Sequence, residues 1–180
     1  MPTNFVALLR GVNVGGKNRL PMKELVEIVE SVGCTEVRNY IQSGNVIFRS
    51  TASLAKKVPD LVAAEILRRF GFQTSLVVRT AEQLREVANT NPFLAKGAPP
   101  ELLSVMFLAT KPEPGDIAKL DPNRSAPDEF EVRGDTIFLH TPTGLADTKL
   151  TNAYFDSRLR TVGTSRNWRT TLKLLEMMGG

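Results

Sequence analysis

The spacing of apolar positions changes along the chain, and each change marks an element. Phe5 to Leu9 is a short apolar run of strand length. A polar, glycine-rich stretch follows from Arg10. Pro21 then opens a segment in which Leu25, Ile28, Val29 and Val32 fall at helical spacing, and Gly33 suits its C-terminal cap. Val37 to Gln42 and Val46 to Arg49 read as the strands of a hairpin around Ser43-Gly44-Asn45. Leu61, Val62, Ile66 and Phe70 mark the buried side of a helix from Pro59 to Phe70, and Gly71 stops it. Pro59 makes any earlier start kinked or separate. Thr74 to Val78 reads as a fourth strand. The order strand, helix, strand, strand, helix, strand is the split βαβ pattern of a ferredoxin-like unit.

The pattern then restarts. Glu82 to Ala88 opens a helical segment, and Leu102 to Leu108 is an apolar strand ended by Pro112 and Pro114. Gly115 to Leu120 predicts a short helix. Phe130 to Arg133 and Thr136 to His140 flank the turn Gly134-Asp135. Leu150 to Leu159 and Ser165 to Met178 predict two more helices, the last capped by Thr164. The expected fold class is therefore α+β. A ferredoxin-like (βαββαβ) N-terminal half spans residues 1–80, and a second, smaller α+β half spans 81–180 and ends in a basic helix. The two halves resemble each other loosely in element order, with no residue-level repeat.

Composition narrows the class. The chain has 180 residues, 42% hydrophobic and 23% charged, which suits one good core or two small ones and argues against disorder. Its apolar runs are far short of a membrane span, and no basic, then apolar, leader opens it, so a cytoplasmic location without a membrane partner is expected. A lone Cys34 and a lone His140 leave no disulfide framework and no zinc-ligand set, and no cofactor is implied. Oligomeric state is not legible, since a ferredoxin-like sheet can pair its edges or stand alone.

Charge is unevenly placed. Residues 1–80 carry 11 Lys/Arg against 6 Asp/Glu, residues 81–148 carry 6 against 11, and residues 149–180 carry 6 against 2. Both basic segments also hold the two stretches that look like sites. Such a surface would attract phosphates or nucleic acid.

The first stretch runs from Arg10 to Arg19. Gly11, Gly16 and Lys17 fit the phosphate-loop spacing after a strand, but Asn18 stands where a Ser or Thr should hold magnesium. Arg19-Leu20-Pro21 also delays the helix. Three readings stay open: a phosphate-loop NTPase, a long turn whose glycines supply positive φ, or a nest that binds an anion through backbone N–H groups, Arg10 and Lys17. Gly15 and Gly16 would bring the backbone close, and Asn13 would add directional hydrogen bonds. Ser43 and Asn45 would flank this loop from the neighbouring hairpin, and Ser43 could be a nucleophile only with a base from elsewhere.

The second stretch is Thr164 to Lys173. Arg166 and Arg169 are expected in a first helical turn, where positive charge opposes the helix dipole. A phosphate bound there by Arg166 and Asn167 would reverse that conflict. The aromatic pattern of an RNA-recognition motif is absent. His140, Cys34 and the acidic residues 128–135 read as structural or solvated.

Taken together, Ala7 to Lys17, Pro21-Met22, Leu25, Tyr40 to Phe48, Asn91-Pro92-Phe93 and the tail Thr164 to Thr170 with Lys173-Leu174 resemble the bacterial family known as domain of unknown function 1697. The resemblance implies a soluble two-part α+β protein with a ferredoxin-like N-terminal half. It brings no activity with it. Three functions stay open: binding of a phosphate-bearing ligand such as a nucleotide or nucleic acid, catalysis on a small phosphorylated substrate, and a structural or protein-interaction module whose Arg and Asn residues hold the halves together.

Overall fold

The computed structural model describes residues 1–180 and divides into two compact units. The first comprises Met1–Arg85 with Leu174–Gly180, and the second Glu86–Lys173. Each is built on a four-stranded antiparallel sheet.

In unit 1 the elements are β1 (Thr3–Leu9), α1 (Met22–Ser31), β2 (Thr35–Tyr40), β3 (Asn45–Ser50), α2 (Ala52–Ala55), α3 (Val58–Phe70) and β4 (Leu76–Thr80), with the sheet ordered β2-β3-β1-β4. The most apolar strand, β1, lies inside the sheet, pairing with β3 on one side and β4 on the other. Phe5, Ala7, Leu9, Val46 and Phe48 share the face that packs with Leu25, Ile28 and Val29 of α1 and Val62 and Ile66 of α3. Phe5 and Phe48, opposite each other in the register, stack with ring centres 5.7 Å apart. The other face is also buried at Val6, Leu8 and Ile47. On that face Asn4 and Arg38 donate hydrogen bonds to the carbonyls of Met178 and Met177, at 3.4 and 2.9 Å. The break foreseen at Pro59 is real: α2 is a separate turn capped by Thr51, and α3 starts at Val58 with Pro59 in its first turn.

Unit 2 continues from α4 (Ala81–Thr90), which begins in unit 1, through α5 (Pro92–Ala95), a 3₁₀ turn at Pro100–Leu102, β5 (Leu103–Leu108), α6 (Pro114–Ile117), β6 (Glu129–Arg133), β7 (Thr136–His140), α7 (Asn152–Leu159), β8 (Gly163–Asn167) and the start of α8 (Trp168–Met177). Its sheet runs β6-β7-β5-β8. Met106, Leu108, Ile137 and Leu139 pack with Leu150, Tyr154, Phe155 and Leu159. Two carboxylates fix the loops around this core. Asp116 takes Arg160 through two hydrogen bonds, both 3.0 Å, and Lys119 at 2.9 Å. Asp128 accepts from Ser125 Oγ, Thr143 Oγ1 and Thr143 N.

One predicted element is corrected. The last helix does not start at Ser165 under a Thr164 cap. Gly163–Asn167 is strand β8, paired along β5, and the helix begins at Trp168. Pairing with β5 satisfies the backbone of a segment too polar to show apolar alternation. Asn167 is the actual cap, its Oδ1 accepting from Thr170 N at 2.7 Å. The hairpin turn also starts two residues earlier and ends one earlier than expected: β2 ends at Tyr40, residues 41–44 turn, and Asn45 already belongs to β3.

With β8 in place the two units share one plan. Both run β-α-β-β-α-β and both sheets have the second, third, first and fourth strands in that order. The ladders of the central strands β1 and β5 correspond in register. Val6 lies opposite Ile47 and Arg79 in unit 1, and Val105 lies opposite Phe138 and Arg166 in unit 2. In each unit the buried arginine is followed by a residue that caps a helix: Thr80, in a reciprocal pair with Gln83, and Asn167.

Candidate functional site

The Gly-rich loop leaves β1 at Leu9 and is folded by its own polar groups. Leu9 N donates to Gly44 O and Arg10 N to Ser75 O, both at 2.9 Å, while Thr74 Oγ1 donates to Arg10 O at 2.8 Å. These bonds fix the root of the loop between β3 and β4. Asn13 then organises the interior: its Nδ2 donates to Leu20 O and Gln42 O at 2.9 Å each, and its Oδ1 accepts from Leu20 N at 2.8 Å. Asn18 Nδ2 donates to Gly11 O at 3.0 Å. Val14 and Lys17 bridge across a tight turn in which Gly15 and Gly16 have φ of 58° and 74°. Two successive positive φ values are what such a turn demands, and glycine adopts them without a Cβ clash.

The loop and the 41–44 turn are neighbours, as the sequence predicts. Asn13 ties them directly, and Gly44 (φ 74°) lies against the loop so closely that a Cβ there would sit 2.7 Å from both Leu9 Cβ and Val12 Cγ2. Ile41 also holds a positive φ of 50°, a costly conformation for a β-branched residue. The tip that results is exposed from Val14 to Arg19. It presents the side chains of Lys17 and Arg19, with Arg10 half-buried at the root, and no carboxylate precedes Glu24 in the sequence. The N–H groups of Gly15 and Gly16 make no hydrogen bond within the chain.

The expected site residues thus divide. Arg10, Asn13, Gly15, Gly16, Lys17, Ser43 and Asn45 lie in unit 1, around this loop and the hairpin beside it. Asn13 serves the loop's own fold, and Asn45 is fully buried with its Nδ2 donating to Tyr40 O at 3.2 Å. Ser43 is exposed in the turn. Arg166 and Asn167 lie in unit 2. Arg166 is not at a helix start but on β8, buried beside Val105 and Thr164, and its Nη1 donates to Thr164 Oγ1 at 2.9 Å and Ser165 O at 2.8 Å. Burial lowers its pKa to about 10, which leaves it charged at neutral pH. Asn167 and Arg169 are exposed where β8 becomes α8.

Sequence reasoning missed Arg19, which shares the exposed tip, and Arg79, the unit 1 counterpart of Arg166. A basic residue on a half-buried strand has no periodic signal, so only the register exposes it. Nowhere do three His, Cys, Asp or Glu side chains gather as a metal site. His140 rests against Phe93, with ring centres 5.8 Å apart, and Cys34 is buried, which raises its pKa. No helix is long and apolar enough to cross a membrane.

These features define a mixed α/β protein of two four-stranded antiparallel sheets with a polar loop held open at the end of the first. The chain belongs to a family described as protein of unknown function (DUF1697), whose model matches residues 2–138. The tail from Thr164 to Leu174 falls outside the matched residues. Among solved structures, the chain is similar to the conserved bacterial protein SP0830 from Streptococcus pneumoniae, with 23% identity, a TM-score of 0.73 and 99% of each chain covered. At that identity the likeness shows the fold. No curated protein matches the chain.

Proposed function

We propose that the protein binds a phosphate-bearing ligand, a nucleotide or a nucleic acid, at the loop of residues 10–19. One observation carries this reading. The exposed tip combines Lys17 and Arg19 with the unbonded N–H groups of Gly15 and Gly16, and no acidic side chain precedes Glu24. Backbone donors in a positive-φ turn next to cations are the physical makings of an anion nest. We read residues 1–80 as a ferredoxin-like domain that presents this loop, and residues 81–180 as the second α+β domain.

The test is titration of purified protein with nucleotides, pyrophosphate and short single-stranded DNA and RNA at two salt concentrations. Lys17→Ala and Arg19→Ala are each expected to weaken binding about ten-fold, the loss of one charge-assisted hydrogen bond. On nucleic acid each should also reduce the salt slope by roughly one. Unchanged anion affinity in both variants would overturn the reading.

A second reading, a structural or interaction module, is favoured by Arg166. A buried guanidinium bonded to Thr164 and Ser165 belongs to the fold rather than to a solvent-facing site. Arg166→Ala should then lower the melting temperature sharply while leaving any anion affinity of the loop intact. Catalysis at Ser43 would need a general base, and the loop beside it offers only Arg, Lys and Asn side chains.

A further inference from the structure

A pocket of about 460 Å³ lies within unit 2, lined by Pro100, Glu101, Asn167, Trp168, Arg169 and Leu172. Its origin is the pairing of β5 with β8. Ser104 lies opposite Asn167, so the 3₁₀ turn that leads into β5 is brought beside the start of α8. The volume is in the range of small-molecule sites, which combine an apolar lining with a few polar groups. Pro100, Trp168 and Leu172 are the apolar part, and Leu172 is 42% exposed.

The polar part is uncommitted. Glu101 and Arg169 form no salt bridge and no side-chain hydrogen bond within the chain, although each lines the same pocket. Asn167 uses Oδ1 to cap α8, which leaves its Nδ2 as a donor. The lining residues therefore include one carboxylate, one guanidinium and one amide beside the apolar Pro100, Trp168 and Leu172.

We infer that this pocket takes a guanine base. The pocket is a site of unit 2 by itself; the class, a nucleoside, follows the reading proposed above, and the choice of base rests on the pocket alone. A carboxylate accepts hydrogen bonds only, and guanine presents two adjacent donors, N1–H and N2–H, that match its two oxygens. Guanine O6 and N7 are acceptors that suit a guanidinium or an amide N–H. Adenine has a single donor group flanked by acceptors, which a carboxylate repels. Apolar side chains of Pro100 and Leu172 would cover the faces of the ring.

Trp168 is the only tryptophan of the chain and lines the pocket, so its fluorescence serves as the readout of binding there. The full chain is titrated with guanosine and with adenosine, neither of which carries a phosphate. Guanosine should give a saturable change, with adenosine at least ten-fold weaker. Glu101→Gln and Arg169→Ala, both at exposed positions, should each weaken guanosine at least ten-fold, while Lys17→Ala leaves it unchanged. Equal binding of the two nucleosides, no saturable response to guanosine, or wild-type affinity in Glu101→Gln would overturn the assignment. Pyrophosphate, titrated separately, reads the loop alone: loss of its binding in Lys17→Ala together with no guanosine response would sink the base pocket and leave the loop standing. A guanosine response without any pyrophosphate binding would do the reverse.

Discussion

Asn13 shows how a residue with the composition of a ligand contact can serve the scaffold instead. It holds a positive φ of 55°, which Asn tolerates better than most residues, and its amide joins three backbone groups from two segments. Asn13→Ala should destabilise the protein by about 2 kcal/mol, because Leu20 N and two carbonyls lose their partner. Gly44 is fixed for a different reason, since both its φ and its contacts exclude a side chain. Gly44→Ala places a Cβ 2.7 Å from Leu9 and Val12. The left-handed conformation and the overpacking together should cost roughly 2–4 kcal/mol, read as a lower urea midpoint at unchanged slope. Neither role was legible as such. Glycine and asparagine announced an unusual loop, but whether their polar atoms face a ligand or the chain depends on partners far away in sequence, such as Gln42.

At the scale of elements, the apolar helices and strands were legible and the polar one was not. Residues Leu25, Ile28 and Val29 fall at helical spacing and are fully buried, so α1 declares itself by period. Strand β8 reads Gly-Thr-Ser-Arg-Asn, with no apolar alternation, and its ladder with β5 overrides local propensity. Moving the helix start to Trp168 also removes the supposed clash between Arg166 and the helix dipole. The cap then becomes testable. Asn167→Ala should destabilise α8 by about 1 kcal/mol, whereas Asn167→Asp keeps an acceptor for Thr170 N and should cost less, as thermal denaturation would show.

For the molecule as a whole, two carboxylates of unit 2 set an acid limit. The Asp116 carboxyl is held below its ordinary value, first by the hydrogen bond from Lys119 and then by Arg160, against an opposing effect of burial. At Asp128 burial pushes the pKa up most strongly, but hydrogen bonds from Thr143, Thr148 and Ser125 together outweigh it and the pKa falls. A folded pKa below the unfolded one means that the unfolded chain binds more protons. These contributions are therefore present above the unfolded value of about 4 and are lost as pH falls through the folded one. Unfolding followed from pH 6 down to pH 2 should show stability dropping below about pH 4, and Asp128→Asn should flatten that drop while lowering stability at neutral pH.

By itself the sequence determined the apolar strands and helices, the order of elements in the first half, the two basic segments and the Gly-rich loop as the unusual feature. Those depend on period, composition and backbone preference, which are local. The tertiary structure alone decided that Thr164 to Asn167 is strand, that Arg166 is buried, that the second half repeats the first at Val6/Val105 and Arg79/Arg166, and that Glu101 and Arg169 line one pocket. Each of those depends on which strand lies opposite which. Strand pairing is a non-local choice between segments far apart in sequence, and a polar strand such as β8 lacks the apolar alternation that would otherwise mark its register.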